Sequence, residues 1–110
     1  MKGTNLGEFE ELVLLTVGIL YDNAYSVAIR EELIRQTGRK VTLSAVHASV
    51  YRLEEKGFLD SRMGEQSNRR GGKRKRLFTI SRSGKEALEK ISELRNSMKQ
   101  QIPEIAFQKI

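Results

Sequence analysis

Phe58-Leu59-Asp60-Ser61-Arg62-Met63 and Arg76-Leu77-Phe78-Thr79-Ile80 are two short runs rich in branched and aromatic residues, and between them sits Gln66-Ser67-Asn68-Arg69-Arg70-Gly71-Gly72-Lys73, polar and punctuated by glycine. Two strand-like runs around such a segment predict a β-hairpin with a long loop. On either side of this stretch the apolar residues recur with a helical period. The fold therefore turns on one hairpin set among helices.

Upstream, residues 6–21 read as a helix with Glu8, Glu10 and Glu11 in its first turn, where the helix dipole favours acidic side chains. From Leu12 to Leu20 it is apolar on nearly every side, so it is expected to be covered on more than one face. Asp22-Asn23 is a turn signal. Ser26 is expected to cap a second helix reaching Thr37, with Ile29 and Leu33 inward and Arg30, Glu31, Glu32 and Arg35 outward, and Gly38 at its end. Thr42 or Ser44 can cap a third helix that runs to about Lys56 and stops at Gly57. Its apolar members Val46, Val50 and Leu53 lie a turn apart, while Ser44, His47, Ala48, Tyr51 and Glu55 form the opposite face.

Downstream of the hairpin, Ser81 can cap a long helix from about Arg82 to Gln101, ended by Pro103. Ala87, Ile91, Leu94 and Met98 repeat along it at spacings of four, three and four, a short heptad-like stripe. The expected class is mainly α with a small β-hairpin, in one compact domain. Residues 1–81 hold the three helices and the hairpin, and residues 82–110 the last helix and tail. A chain of 110 residues suits one core.

Charge is unevenly spread. The chain carries a formal +6, yet residues 67–85 hold eight basic side chains and no acidic one, which leaves the remainder slightly acidic. A mildly acidic body with one strongly basic segment points to a polyanion bound in one place. No apolar run is long enough for a membrane span, and the start shows no signal-peptide core, so a cytoplasmic protein is expected. There is no Cys and a single His, His47, which removes thiolate and zinc sites and leaves no nucleophile–base system. Gly72-Lys73-Arg74 lacks the spacing and hydroxyl of a phosphate-binding loop. The acidic residues read as solvated helix faces. No enzyme activity, cofactor or metal is expected.

The second and third helices, joined around Gly38, form a helix–turn–helix pattern whose second member has one apolar and one polar face. Beside it the hairpin carries Arg69, Arg70, Lys73, Arg74, Lys75 and Arg76. A helix offered to a major groove, with an adjacent basic loop reaching phosphates or the minor groove, is a coherent DNA-binding arrangement.

Four stretches also carry a family resemblance: Leu6 to Leu15, Ala24 to Leu33, Tyr51 to Leu59 with its Leu53-Glu54-Glu55-Lys56-Gly57-Phe58, and Arg69 to Ser81 with its Gly71-Gly72. In this order the chain resembles the PadR family of bacterial transcriptional regulators over about residues 5–90. The resemblance implies a winged helix-turn-helix with a C-terminal dimerisation helix, acting as a homodimeric repressor. Two positions depart from the family pattern. His47 stands where such proteins usually carry Tyr, giving a shorter contact that can still donate to a phosphate or a base edge. The chain also has no Trp, the main element of the aromatic drug pocket in some relatives, so a small-molecule effector is not indicated.

The residues expected to contact DNA are Ser44, Ala45, His47, Ala48 and Tyr51 on the third helix, Arg52 toward the backbone, and Arg69, Arg70, Lys73, Arg74, Lys75 and Arg76 on the wing. Leu12, Leu20, Ala87, Leu88, Ile91, Leu94 and Met98 are the expected dimer contacts. The expected partner is double-stranded DNA carrying an inverted repeat. The rivals are a non-specific RNA- or ribosome-associated basic protein and a protein-interaction adaptor. Ser44, His47 and Tyr51 favour a sequence reader, because each can donate or accept at a base edge.

Overall fold

The computed structural model describes residues 5–64 and 74–107. In chain order they form α1 (Glu8–Ile19), α2 (Ser26–Thr37), α3 (Leu43–Glu55), β1 (Leu59–Met63), β2 (Arg76–Ile80) and α4 (Arg82–Gln100), then a short 3-10 turn at Glu104–Phe107. The hairpin is as expected, antiparallel with Leu59 opposite Ile80, Ser61 opposite Phe78 and Met63 opposite Arg76. Its core-facing side chains are those of Leu59 and Phe78. Phe78 N–H donates to the Ala24 carbonyl at 2.9 Å, which ties β2 to the segment between α1 and α2.

Three helices and the hairpin share one core. Val13, Leu14 and Val17 of α1, Ile29 and Leu33 of α2, and Val46, Val50 and Leu53 of α3 are buried together with Phe58, Leu59 and Phe78. Each helix contributes one stripe at three- and four-residue steps. Among the described residues the outer face of α1 is left uncovered: Leu15 is 44% and Ile19 57% exposed.

The ends follow from local chemistry, with one correction. Thr42 caps α3, its Oγ1 accepting from Ala45 N–H at 3.1 Å, and Ser81 caps α4, its Oγ accepting from Gly84 N–H at 3.0 Å. Ser26 is not a cap. It is the first helical residue, and Tyr25 holds the cap position without a side-chain bond. Gly38 and Gly57 close α2 and α3 at φ +69° and +82°, where a side chain is disfavoured.

The first turns of α4 belong to the domain. Ala87 is buried in the core and Leu88 packs against it, so Ala87 is a core residue rather than the dimer contact expected from the stripe. Leu12 and Leu20 are likewise half-buried against their own core. Beyond Ile91 the helix leaves the domain, and every residue from 92 to 107 is exposed. Among the described residues no helix is long and apolar enough to cross a membrane.

Gly84 fixes where α4 begins. A Cβ there would lie 2.3 Å from the Phe58 carbonyl oxygen. Alanine is favoured over glycine inside a helix by about 1 kcal/mol. Here the methyl meets backbone, which has to give way, and overpacking of that kind costs about 1–3 kcal/mol or more. Gly84→Ala should therefore lower the thermal midpoint, and a midpoint equal to the parent's would contradict the close approach.

Candidate nucleic-acid interface

The solvent face of α3 is built by its apolar stripe. Because Val46, Val50 and Leu53 are pulled inward, Ser44, His47, Ala48, Tyr51 and Glu55 must point outward, and all five are exposed, Tyr51 at 71%. Ala45 differs from the sequence expectation. It is half-buried, and its N–H is spent on the Thr42 cap.

Alongside α3, at the foot of the hairpin, runs a groove of about 260 Å³. It is lined by His47, Val50, Tyr51 and Glu54 of α3, Arg76 and Phe78 of β2, and Ser26 of α2. The basic side chains there are held in specific places. Arg74 Nε donates to the Gly64 carbonyl at 2.8 Å, and Lys75 Nζ sits 3.9 Å from the centre of the Tyr25 ring, a cation–π contact. Arg76 donates from Nη1 to Ser61 Oγ at 2.9 Å. Arg69, Arg70 and Lys73 lie outside the described residues.

Arg52 is more constrained than an open phosphate-reaching side chain. Its Nε donates to Glu10 Oε2 at 3.1 Å, while over half of the side chain stays in solvent. Glu10 corrects the reading of the acidic residues as solvated. It is 7% exposed and accepts from three donors: Arg52, Lys56 Nζ at 2.8 Å and the Gly7 N–H at 3.0 Å close around its carboxylate, while Lys56 also reaches the Asn5 carbonyl at 2.8 Å. Burial pushes its pKa upward, but the hydrogen bonds from Lys56, Gly7 and Arg52 outweigh burial and hold it below its ordinary value. The sequence signal for this role is thin: Arg52 and Lys56 stand one turn apart on α3, but nothing local names their partner 42 and 46 residues away.

Glu54 and Ser61 were also outside the sequence expectation. Ser61 Oγ donates to Glu54 Oε2 at 2.6 Å, so the two connect the wall of α3 to the hairpin.

No protein-family model matches the chain, and no curated protein matches it. Solved structures do. Bacillus subtilis PadR in complex with operator DNA superposes with a TM-score of 0.64 at 18% identity, over 80% of this chain and 48% of that one. The hsRosR–S1 complex gives 0.68 at 20% identity over 89% and 80%. A PadR family transcription regulator from Clostridium difficile R20291 gives 0.65 at 17% identity over 86% and 93%. At such identities what is shared is the fold, and the fold is that of the PadR-like winged-helix regulators.

Glu10→Gln keeps the shape at the α1–α3 contact and removes the charge. Charged hydrogen bonds of this kind are worth about 1–2 kcal/mol once the exposure of Arg52 is allowed for. The parent carboxylate is held below its ordinary value of 4.5. Its stabilisation is therefore present above that value and lost as pH falls through the depressed one. Urea unfolding should show the variant weaker at pH 7, with the gap to the parent closing in acid.

Proposed function

We propose that this chain is a duplex-DNA-binding transcriptional regulator of the PadR type that reads sequence with α3, works as a homodimer and represses. The observation that carries the reading is the exposed hydrogen-bonding face of α3, on which Ser44, His47 and Tyr51 lie, with His47 and Tyr51 sharing one groove with Arg76 at the foot of the hairpin. Such a helix suits a major groove, and the basic segment beyond it suits phosphates. The PadR structure of the same fold was solved with operator DNA, which supports the same assignment for this chain. On this reading the protein acts in the cytoplasm of a bacterium.

The dimer reading has its own support. Glu11, Leu15 and Ile19 follow one another at four-residue steps on α1, and Arg95 of α4 reaches Glu11 at 3.0 Å. That bond brings the last helix to the uncovered face of α1. Leu94 and Met98 are 59% and 60% exposed, and Ile91 is half-buried beside them. Apolar rows of this extent call for cover, and a second copy related by a two-fold axis supplies it. The same two-fold axis sets two α3 helices against successive turns of DNA. On this reading residues 1–81 form the DNA-binding region and the helix and tail from 82 onward form the arm that pairs.

Selection from random duplex DNA should recover an inverted repeat with half-sites about one helical turn, ~34 Å, apart. On that duplex His47→Ala and Tyr51→Ala should each cost about 1–3 kcal/mol, with a smaller effect on random sequence. Replacing Arg74 and Arg76 together should weaken both duplexes alike and flatten the salt dependence by about 0.9 per lost phosphate contact. Equal binding of structured RNA and the selected duplex at one salt concentration would favour the RNA-associated rival instead.

Leu94→Glu with Met98→Glu places like charges across the expected seam, where an unpaired buried charge is expensive. The variant should sediment as a monomer and lose affinity for two half-sites far more than for one. A dimer that survives both changes would put the interface elsewhere.

A further inference from the structure

Among the described cations of the hairpin, Arg76 is the one that lines the groove beside α3. In the register of the two strands it is opposite Met63, and Ser61 is opposite Phe78, so Arg76, Ser61 and Phe78 share one face of the sheet. That is the face Phe78 buries. The side chain of Arg76 is thus turned under the hairpin toward α3, into the groove lined by His47 and Tyr51. Glu54 lies three residues beyond Tyr51 and seven beyond His47, on the same side of α3.

The hydrogen bonds there have a fixed direction. A serine hydroxyl has one hydrogen to give. Ser61 donates it to Glu54 Oε2 at 2.6 Å, and so can offer only lone pairs to Arg76, whose Nη1 donates at 2.9 Å. A direct pair between Arg76 and Glu54 would form a two-pronged fork that consumes the guanidinium and neutralises it. With Ser61 interposed, one of the five N–H groups is used among the described residues.

We propose that Glu54 and Ser61 are positioning residues that hold Arg76 in the groove as a pre-set donor for DNA. Ser61 gives the guanidinium its place, and Glu54 fixes the orientation of Ser61. The inference rests on the duplex-binding reading of this face and adds to it the device that sets one contact before DNA arrives. Ordering a long side chain in advance removes a cost that binding otherwise carries, an effect of about three- to tenfold in affinity.

The serine changes leave net charge unchanged. The full chain carrying Ser61→Ala, Ser61→Thr, Arg76→Ala, or Ser61→Ala with Arg76→Ala is titrated at fixed salt against the selected duplex and against a scrambled duplex of equal length. Thermal melts are run alongside. Ser61→Ala should weaken binding about three- to tenfold and lower the salt slope toward that of Arg76→Ala. Ser61→Thr, which restores the hydroxyl, should bind as the parent does. In the Arg76→Ala background the serine change should have no further effect. Parental affinity in Ser61→Ala, or the same loss with and without Arg76, overturns the relay, the second outcome marking a folding defect. If Arg76→Ala weakens binding and Ser61→Ala does not, the relay falls and the duplex reading stands. If Arg76→Ala binds every duplex as the parent does, both fall at this position.

Discussion

The carbonyl of Phe58 is the point on which four elements converge. It accepts the Ser81 N–H at 3.0 Å and lies against Gly84, where a side chain would meet it at 2.3 Å. One residue earlier, the Gly57 carbonyl accepts the Ser81 hydroxyl at 2.6 Å, while the Phe58 N–H returns to the Leu53 carbonyl at 2.9 Å. The end of α3, the start of β1, the end of β2 and the start of α4 are thereby fixed within one small knot of backbone. Because α3 and the hairpin leave this knot together, the groove between them has a set width. Because α4 also leaves it, the direction of the projecting helix is set by the same few atoms.

At the far side of α3 a charge does comparable work. Glu10 is buried with two cations of α3 on it, so the contact between α1 and α3 is specified by geometry as well as by apolar packing. A buried carboxylate is costly unless it is paired and hydrogen-bonded, and here three donors, two of them cationic, close on it. The arrangement removes freedom from Arg52, whose remaining donors face solvent from a known place.

Much of this was legible in the sequence, and what was not has a common cause. The element order, the hairpin pairing and the Thr42 and Ser81 caps follow from local patterns, since each depends on residues within a few positions of one another. The outward face of α3 follows equally from the spacing of Val46, Val50 and Leu53. Glu10, Ser61 and Glu54 gain their roles from partners brought together by folding, and Ala87 entered the core because α4 starts against Phe58. Ser49 is a further case: fully buried on α3, with a hydroxyl that finds no partner among the described residues. Its place on the inward face is readable, its lack of a partner is not. Tyr25 taking the cap position from Ser26 shows that a good capping residue yields when tertiary packing sets the helix start.

Helix α4 has the character of a measuring rod. Its nine residues beyond Ile91 extend about 14 Å past the body of the domain and carry Leu94 and Met98 on their surface. One residue inserted just after Ile91 would advance the rod by about 1.5 Å and swing both side chains around the axis by about 100°, at the cost of the Arg95–Glu11 bond but with the core untouched. The body and the rod thus answer to different demands: the first must hold its core and its groove, and the second only a length and an angle. Chains that share this body can therefore differ in how far apart, and in what rotation, they present it, by changing only the exposed part of a helix beyond its anchored first turns.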